Sequence, residues 1–233
     1  MMDRIAQASP RARARITGSV YLLFFLTAVV GALFTPATAN DIVAHEASFR
    51  LGFALSLIST VCYVALTALF YQLFKSVSRT LALTAAFFSL VGCAIGAFGS
   101  LFQLAPFVVT GGSQYSTAFD VKQLQALAQM LLDLGAQTGD IALVFFGLFD
   151  ILIGYLIWRS TFLPRILGVP MAIAGLLWLT FLSPPLANHF LAYIEVPGFL
   201  AELALMLWLL VKGVNSQRWN EQAGALSSQV LTR

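Results

Sequence analysis

Charge is what this chain has least of. Charged residues make up 10% of its 233 positions, against 59% hydrophobic ones. An ordinary soluble domain carries about 25% charged residues. A soluble fold of this length has to leave much of its surface in water and lacks the polar residues to cover it. Cysteine is scarce too. Cys62 and Cys93 are the only two, and both sit inside apolar runs. With no CxxC pair or zinc spacing, neither a disulfide framework nor a cysteine metal site is supported, and both read as small buried hydrophobes. The two histidines, His45 and His189, belong to no HExxH or HxxxH arrangement. No GxSxG, P-loop or dinucleotide fingerprint occurs in usable context. The net charge of +3 gives no reason to invoke nucleic acid. No cofactor and no metal is expected, and catalytic residues are left unknown.

What the sequence has is long apolar runs. A membrane-spanning helix needs about 20 mostly apolar residues, since each adds about 1.5 Å against a hydrocarbon core about 30 Å thick. Six runs qualify, over 16–34, 51–74, 81–109, 136–158, 166–182 and, for the last, from a start between Leu191 and Pro197 to Val211. The fold class expected is all-α: an integral membrane bundle of six transmembrane helices. The first run resembles a secretion signal, with basic residues before it and Ala37-Thr38-Ala39 after it. Its 19 residues exceed the usual apolar core of about 7–15, so it is expected to be retained.

Orientation follows from lysine and arginine. Arg4, Arg11, Arg13, Arg15, Lys75, Arg79, Arg159, Arg165, Lys212, Arg218 and Arg233 fall on one side of a six-span chain; Arg50 and Lys122 fall on the other. The first side is cytoplasmic and holds both termini. The chain then divides into a basic cytoplasmic segment (1–15), a six-helix domain (16–213) and a cytoplasmic polar tail (214–233) expected to fray. Outside, Asn40 or Asp41 can cap a short helix, and Glu46 stands four residues before Arg50 as a favourable helical pair. Gly111-Gly112-Ser113 reads as a turn. Asp120 with Gln123 then resembles a capping box, opening an amphipathic helix along Leu124, Leu127, Leu131 and Leu134 that lies on the outer surface or caps the bundle between spans three and four.

Small residues explain how such helices associate where lipid offers no hydrophobic drive. Span three carries Ser89, Gly92, Gly96, Gly99, Ser100 and Gln103 at helical spacing. This stripe reads as a packing face first and as a substrate path second. Span two offers Ser56, Ser59, Thr60, Tyr63 and Thr67 for interhelical hydrogen bonds. Trp158, Trp178, Trp208 and Tyr193 near span ends suit the interfacial belt, with a deeper position as the alternative for Trp178.

Two carboxyls need another explanation. Asp150 lies nine residues before Arg159 and Glu202 ten before Lys212, which puts both about 14 Å above the cytoplasmic rim. A mid-bilayer carboxylate costs about 2.5–3.5 kcal/mol on insertion scales. Asp150 and Glu202 are therefore expected to be neutral, to hydrogen-bond a neighbour, or to bind a cation. A proton or cation relay is the functional reading, and two hydrogen-bonded neutral carboxyls the plain one. A second cluster, Asp133, Gln137 and Asp140, shares a helix face at the outer rim where Arg50 enters. An ion pair of Arg50 with Asp140 or Asp133 is expected there, as structural fastening or as a ligand-binding mouth.

Several segments are familiar. They include Arg15-Ile16-Thr17-Gly18 with Tyr21-Leu22, Phe49-Arg50-Leu51-Gly52-Phe53, Leu124-Gln125-Ala126-Leu127-Ala128 and the run from Asp140 to Leu148. Leu163-Pro164-Arg165-Ile166-Leu167-Gly168, and Glu202 with the run Leu207 to Gly213, complete the set. Together they resemble the bacterial membrane family called domain of unknown function 4386, over nearly the whole chain from Arg13 to Gly213. The resemblance implies a multi-helix bacterial inner-membrane protein and brings no substrate, reaction or cofactor. Arg50, Asp140, Pro164, Arg165 and Glu202 fall at its motif positions. Asp150 departs from it, standing where an uncharged or histidine side chain is expected. The lipid bilayer is the one partner implied; a small ligand or ion is possible and the oligomeric state is open. Three readings remain: a small transporter or channel component using intramembrane carboxyls, a structural, sensory or accessory membrane protein, and a membrane-embedded enzyme with an outer-rim site. A cavity reaching Glu202 from one side would favour the first, and a solid core the second.

Overall fold

The computed structural model describes residues 9–35, 38–111 and 119–231. Gly112 and Ser113 of the expected turn, Ala37 of the small-residue triplet, and Arg4 and Arg233 of the charge count lie outside the described residues. Helices α1 (Pro10–Phe34), α2 (Ala39–Ala44), α3 (Glu46–Phe74), α4 (Arg79–Gly99), α5 (Ala105–Gly111), α6 (Val121–Arg159), α7 (Gly168–Trp178), α8 (Pro184–Val211) and α9 (Ser216–Leu231) follow one another, with no strand among the described residues. Six helical stretches are long and apolar enough to cross a membrane: Pro10–Phe34, Glu46–Phe74, Arg79–Val109, Val121–Arg159, Arg165–Leu182 and His189–Val211.

Local chemistry sets the ends. Ser9 caps α1, its hydroxyl accepting from the Ala12 N–H at 3.2 Å, and Pro10 follows at the first helical position, where no N–H is needed. Span three changes to a 3-10 turn over Ser100–Leu104 just ahead of Pro106, whose ring and missing N–H disturb a regular α-helix there. The capping box at Asp120 forms with both bonds in place: the Gln123 N–H donates to Asp120 Oδ1 at 2.8 Å, and the Asp120 N–H to Gln123 Oε1 at 3.0 Å. The amphipathic segment behind it does not end before span four. It runs on as α6, whose 39 residues extend for about 58 Å. Its Leu124 and Ala128 bury against Ala39 and Val109 in a small apolar cluster at the end of the bundle away from the termini.

The spans form a ring. Each packs on its neighbours in sequence, and the sixth returns to the first. Backbones meet at paired glycines. A Cβ added at Gly154 would fall 2.6 Å from the Gly168 carbonyl oxygen, one at Gly147 would fall 2.8 Å from that of Gly175, and one at Gly52 would fall 2.9 Å from that of Gly31. Spans one and two, and four and five, are thereby held closer than any side chain allows. At Gly18 the added atom would lie 2.5 Å from the Leu210 nitrogen, which closes the ring between spans one and six.

The tail is not frayed as expected. Asn215 accepts from the Arg218 N–H at 3.1 Å and caps α9. Gly213 adopts the left-handed φ of 68° that turns the chain out of span six. Trp219 is buried; its indole N–H donates to the Leu73 carbonyl at 2.9 Å, and the Arg13 guanidinium stacks 4.6 Å above its ring. Gln222 accepts from the Thr161 N–H at 3.0 Å. The helix straps the basic ends of spans one, two and four together.

Candidate functional site

The inside of the ring is aromatic and divides in two along its length. Toward the basic end it is solid. Phe70, Phe74, Phe149, Ile153, Leu156, Ile157, Leu205 and Leu209 are all buried in one continuous cluster. Tyr63 meets Phe24 and Phe146, each at a ring-centroid distance of 4.8 Å and near-perpendicular, an attractive edge-to-face geometry. Toward the other end the ring opens into a cavity of about 690 Å³ bordered by all six spans.

Glu202 stands at the inner end of that cavity. The Tyr21 hydroxyl, fully buried on span one, donates to Glu202 Oε2 at 2.8 Å. Toward the mouth, Glu195 lies two turns earlier on α8 and is exposed. Spans one and six touch through Phe25 and Phe199, whose rings meet at 5.2 Å. Beyond that contact Ala28, Val29 and Ala32 on one helix and Glu195 and Val196 on the other become cavity wall. The opening therefore lies between the outer halves of these two helices. Span six is interrupted near it: Phe190 leaves helical geometry (φ −113°, ψ 17°) and Pro197 sits within the helix.

Asp150 does not line the cavity. It is fully buried, close enough to Glu202 to interact electrostatically, and the Trp178 side chain reaches toward it. Neither of its oxygens makes a hydrogen bond of ordinary geometry. Buried polar groups are nearly always paired, so a carboxyl with so little hydrogen bonding stands apart from the rest of the core. The structure brings Asp150 and Glu202 together, adds Tyr21 to them, and leaves Asp140 elsewhere.

The outer-rim cluster does not assemble. Arg50 pairs with Glu46, one turn earlier on its own helix, at 2.6 Å, and lies 6.0 Å over the Phe107 ring. The ion pair expected with Asp140 or Asp133 is not formed. Span three lies between spans two and four in the ring, and a partner on the same helix needs no ordering across it. Asp133 instead accepts from Gln129 at 3.0 Å, while Gln129 accepts from the Ala39 N–H at 3.2 Å, tying α2 to α6. Gln137 is exposed and Asp140 half-buried. His45 Nδ1 lies 3.1 Å from the Asp41 carbonyl and His189 packs edge-on to Phe190; no group of three His, Cys, Asp or Glu side chains converges among the described residues.

The span-three stripe serves two ends. The Ser89 and Thr67 hydroxyls meet at 2.5 Å in the core, and Ser100 donates to the Ala97 carbonyl at 2.7 Å. Gly99 packs against Thr138. Gly92 and Gly96 line the cavity; Gly92 abuts the Phe146 ring, whereas Gly96 has open space before it. Tyr21 and the ring of phenylalanines were not anticipated as site residues. Tyr21 carried a signal, because a tyrosine hydroxyl in mid-membrane needs an acceptor.

A family profile described as "Domain of unknown function (DUF4386)" matches residues 16–213. No curated protein and no solved structure matches the chain.

Proposed function

The chain belongs to the family described as domain of unknown function (DUF4386), and from that premise we propose that it is a small translocator of the bacterial inner membrane. In this reading Glu202 takes up a proton or small cation from the outer cavity and shares it with Asp150. The observation that carries it is a cavity ending on Glu202 above a solid, apolar half of the same ring.

A purely structural bundle gains nothing from that arrangement. An unfilled cavity forfeits packing, and an unpaired buried polar group costs about 1–3 kcal/mol. A pathway open on one side and sealed on the other is one of the two states that alternating access needs. Span six has the means to reach the second. Pro197 cannot donate to the Tyr193 carbonyl one turn earlier, so the helix is weakened just above Glu202. Groups facing Glu202 are Tyr21 on span one, Tyr63 on span two and Asp150 on span four. None is cationic, and no lysine or arginine lines the cavity among the described residues. A charge on Glu202 is therefore balanced by what it binds.

Proton flux into proteoliposomes, driven by an imposed membrane potential, tests the reading. Wild-type protein is expected to conduct above empty vesicles, E202Q to fall to the level of empty vesicles, and D150N to be impaired. Unchanged flux in both variants removes the relay.

A further inference from the structure

We infer that the cavity takes a lipophilic organic cation, which enters between the outer halves of spans one and six. This rests on the translocator reading of the same cavity and adds the chemical class of its cargo.

Three observations carry it. Six aromatic side chains, Phe24, Phe25, Tyr63, Phe146, Trp178 and Phe199, contribute to the wall. Aromatic faces attract cations, and more strongly once water is excluded. The only ionisable side chains in the wall besides Tyr63 and Cys93 are carboxyls, Glu195 at the mouth and Glu202 at the inner end, with no basic residue to offset them among the described residues. An inorganic ion alone would gain little from so large an apolar wall, whereas an anion would meet two acids and no donor of positive charge. The volume, about 690 Å³, falls in the range of pockets that hold drug-sized molecules.

The route of entry follows from the rim. Val29, Val196, Phe199 and Leu200 line the cavity where spans one and six part, and all four are exposed. A cleft with such lips opens toward lipid, where a lipophilic cation accumulates. Glu195 beside it offers a first charge contact, and Glu202 a second one, buried deeper.

Equilibrium binding of radiolabelled tetraphenylphosphonium to the full chain in detergent tests this, counting only what excess unlabelled ligand displaces. Saturable binding is expected. The neutral triphenylphosphine oxide, with three of the same rings, should compete at least about tenfold less well, because it lacks the charge. E202Q should weaken binding by at least about tenfold. Gly96→Leu, which fills the cavity from a position with open space in front and leaves every carboxyl intact, should abolish it. Absence of saturable binding overturns the inference, as does equal competition by the neutral compound, or wild-type affinity in Gly96→Leu. Glu202-dependent proton flux without tetraphenylphosphonium binding discards the cargo class and leaves the translocator standing. Binding without flux supports the cation site and discards translocation.

Discussion

Asp150 is the residue whose position makes least sense as architecture. Its carboxyl is fully buried, and neither oxygen makes a hydrogen bond of ordinary geometry, with only the Trp178 side chain reaching toward it. Glu202 differs, since Tyr21 satisfies one of its oxygens. If the carboxyl at position 150 is there for function, the fold should be better off without it. Asp150→Ala removes an unsatisfied polar group, which costs about 1–3 kcal/mol, and installs the best helix former. The void it leaves is only the size of a carboxyl. We expect Asp150→Ala to raise stability by about 1 kcal/mol and to impair proton flux in the same preparation. Thermal unfolding in detergent, monitored by tryptophan fluorescence, checks the first half. A fall in the midpoint would mean that the carboxyl is a structural partner of Trp178, and the relay would lose its second member.

At the scale of elements, α9 is where sequence and structure part most. Read by hydropathy, the residues after Gly213 are polar and look unattached. Their periodicity says otherwise: Trp219, Ala223 and Leu226 recur at helical spacing behind Asn215, a good cap. One tryptophan carries the docking, through an indole bond to Leu73 and a stack beneath Arg13. Truncating a buried tryptophan costs about 3–5 kcal/mol in soluble cores. Trp219→Ala is expected to lower stability by about 3 kcal/mol and to make α9 accessible to protease, while leaving the outer cavity and tetraphenylphosphonium binding intact. Loss of binding without loss of stability would instead tie the strap to the cavity. The spans were legible because one-dimensional apolar length is what a bilayer selects, and the capping box because it is local. The Glu46–Arg50 pair was legible for the same reason. The cavity was not, because it depends on which helix faces which. Residue counting gave Glu202 its depth, but only the divergence of spans one and six makes it the floor of a cavity with Glu195 at the mouth. The expected Arg50–Asp140 pair failed on the same ground, since shared depth says nothing about adjacency around a ring.

For the whole molecule the two ends of the ring are unlike in every respect. One end gathers Arg11, Arg13, Arg15, Lys75, Arg79, Arg159, Arg165, Lys212 and Arg218, is closed by the apolar cluster, and is strapped by α9. Arg15 donates to the Val211 carbonyl at 3.1 Å, so this basic end also caps span six. The other end holds Arg50 and Lys122 and the open cavity. Charge orients membrane helices during insertion, with lysine and arginine kept on the cytoplasmic side. By this rule the cavity mouth is expected to face away from the cytoplasm, so that in the proposed function cargo is met outside. Cysteine labelling decides this. In a background with Cys62 and Cys93 replaced by alanine, a cysteine at position 122 should react with a membrane-impermeant maleimide added to intact cells. One at position 218 should react only after the membrane is breached. The reverse pattern would turn the cavity toward the cytoplasm. Labelling of both sites in intact cells would break the pairing of the chain ends that the α9 strap requires.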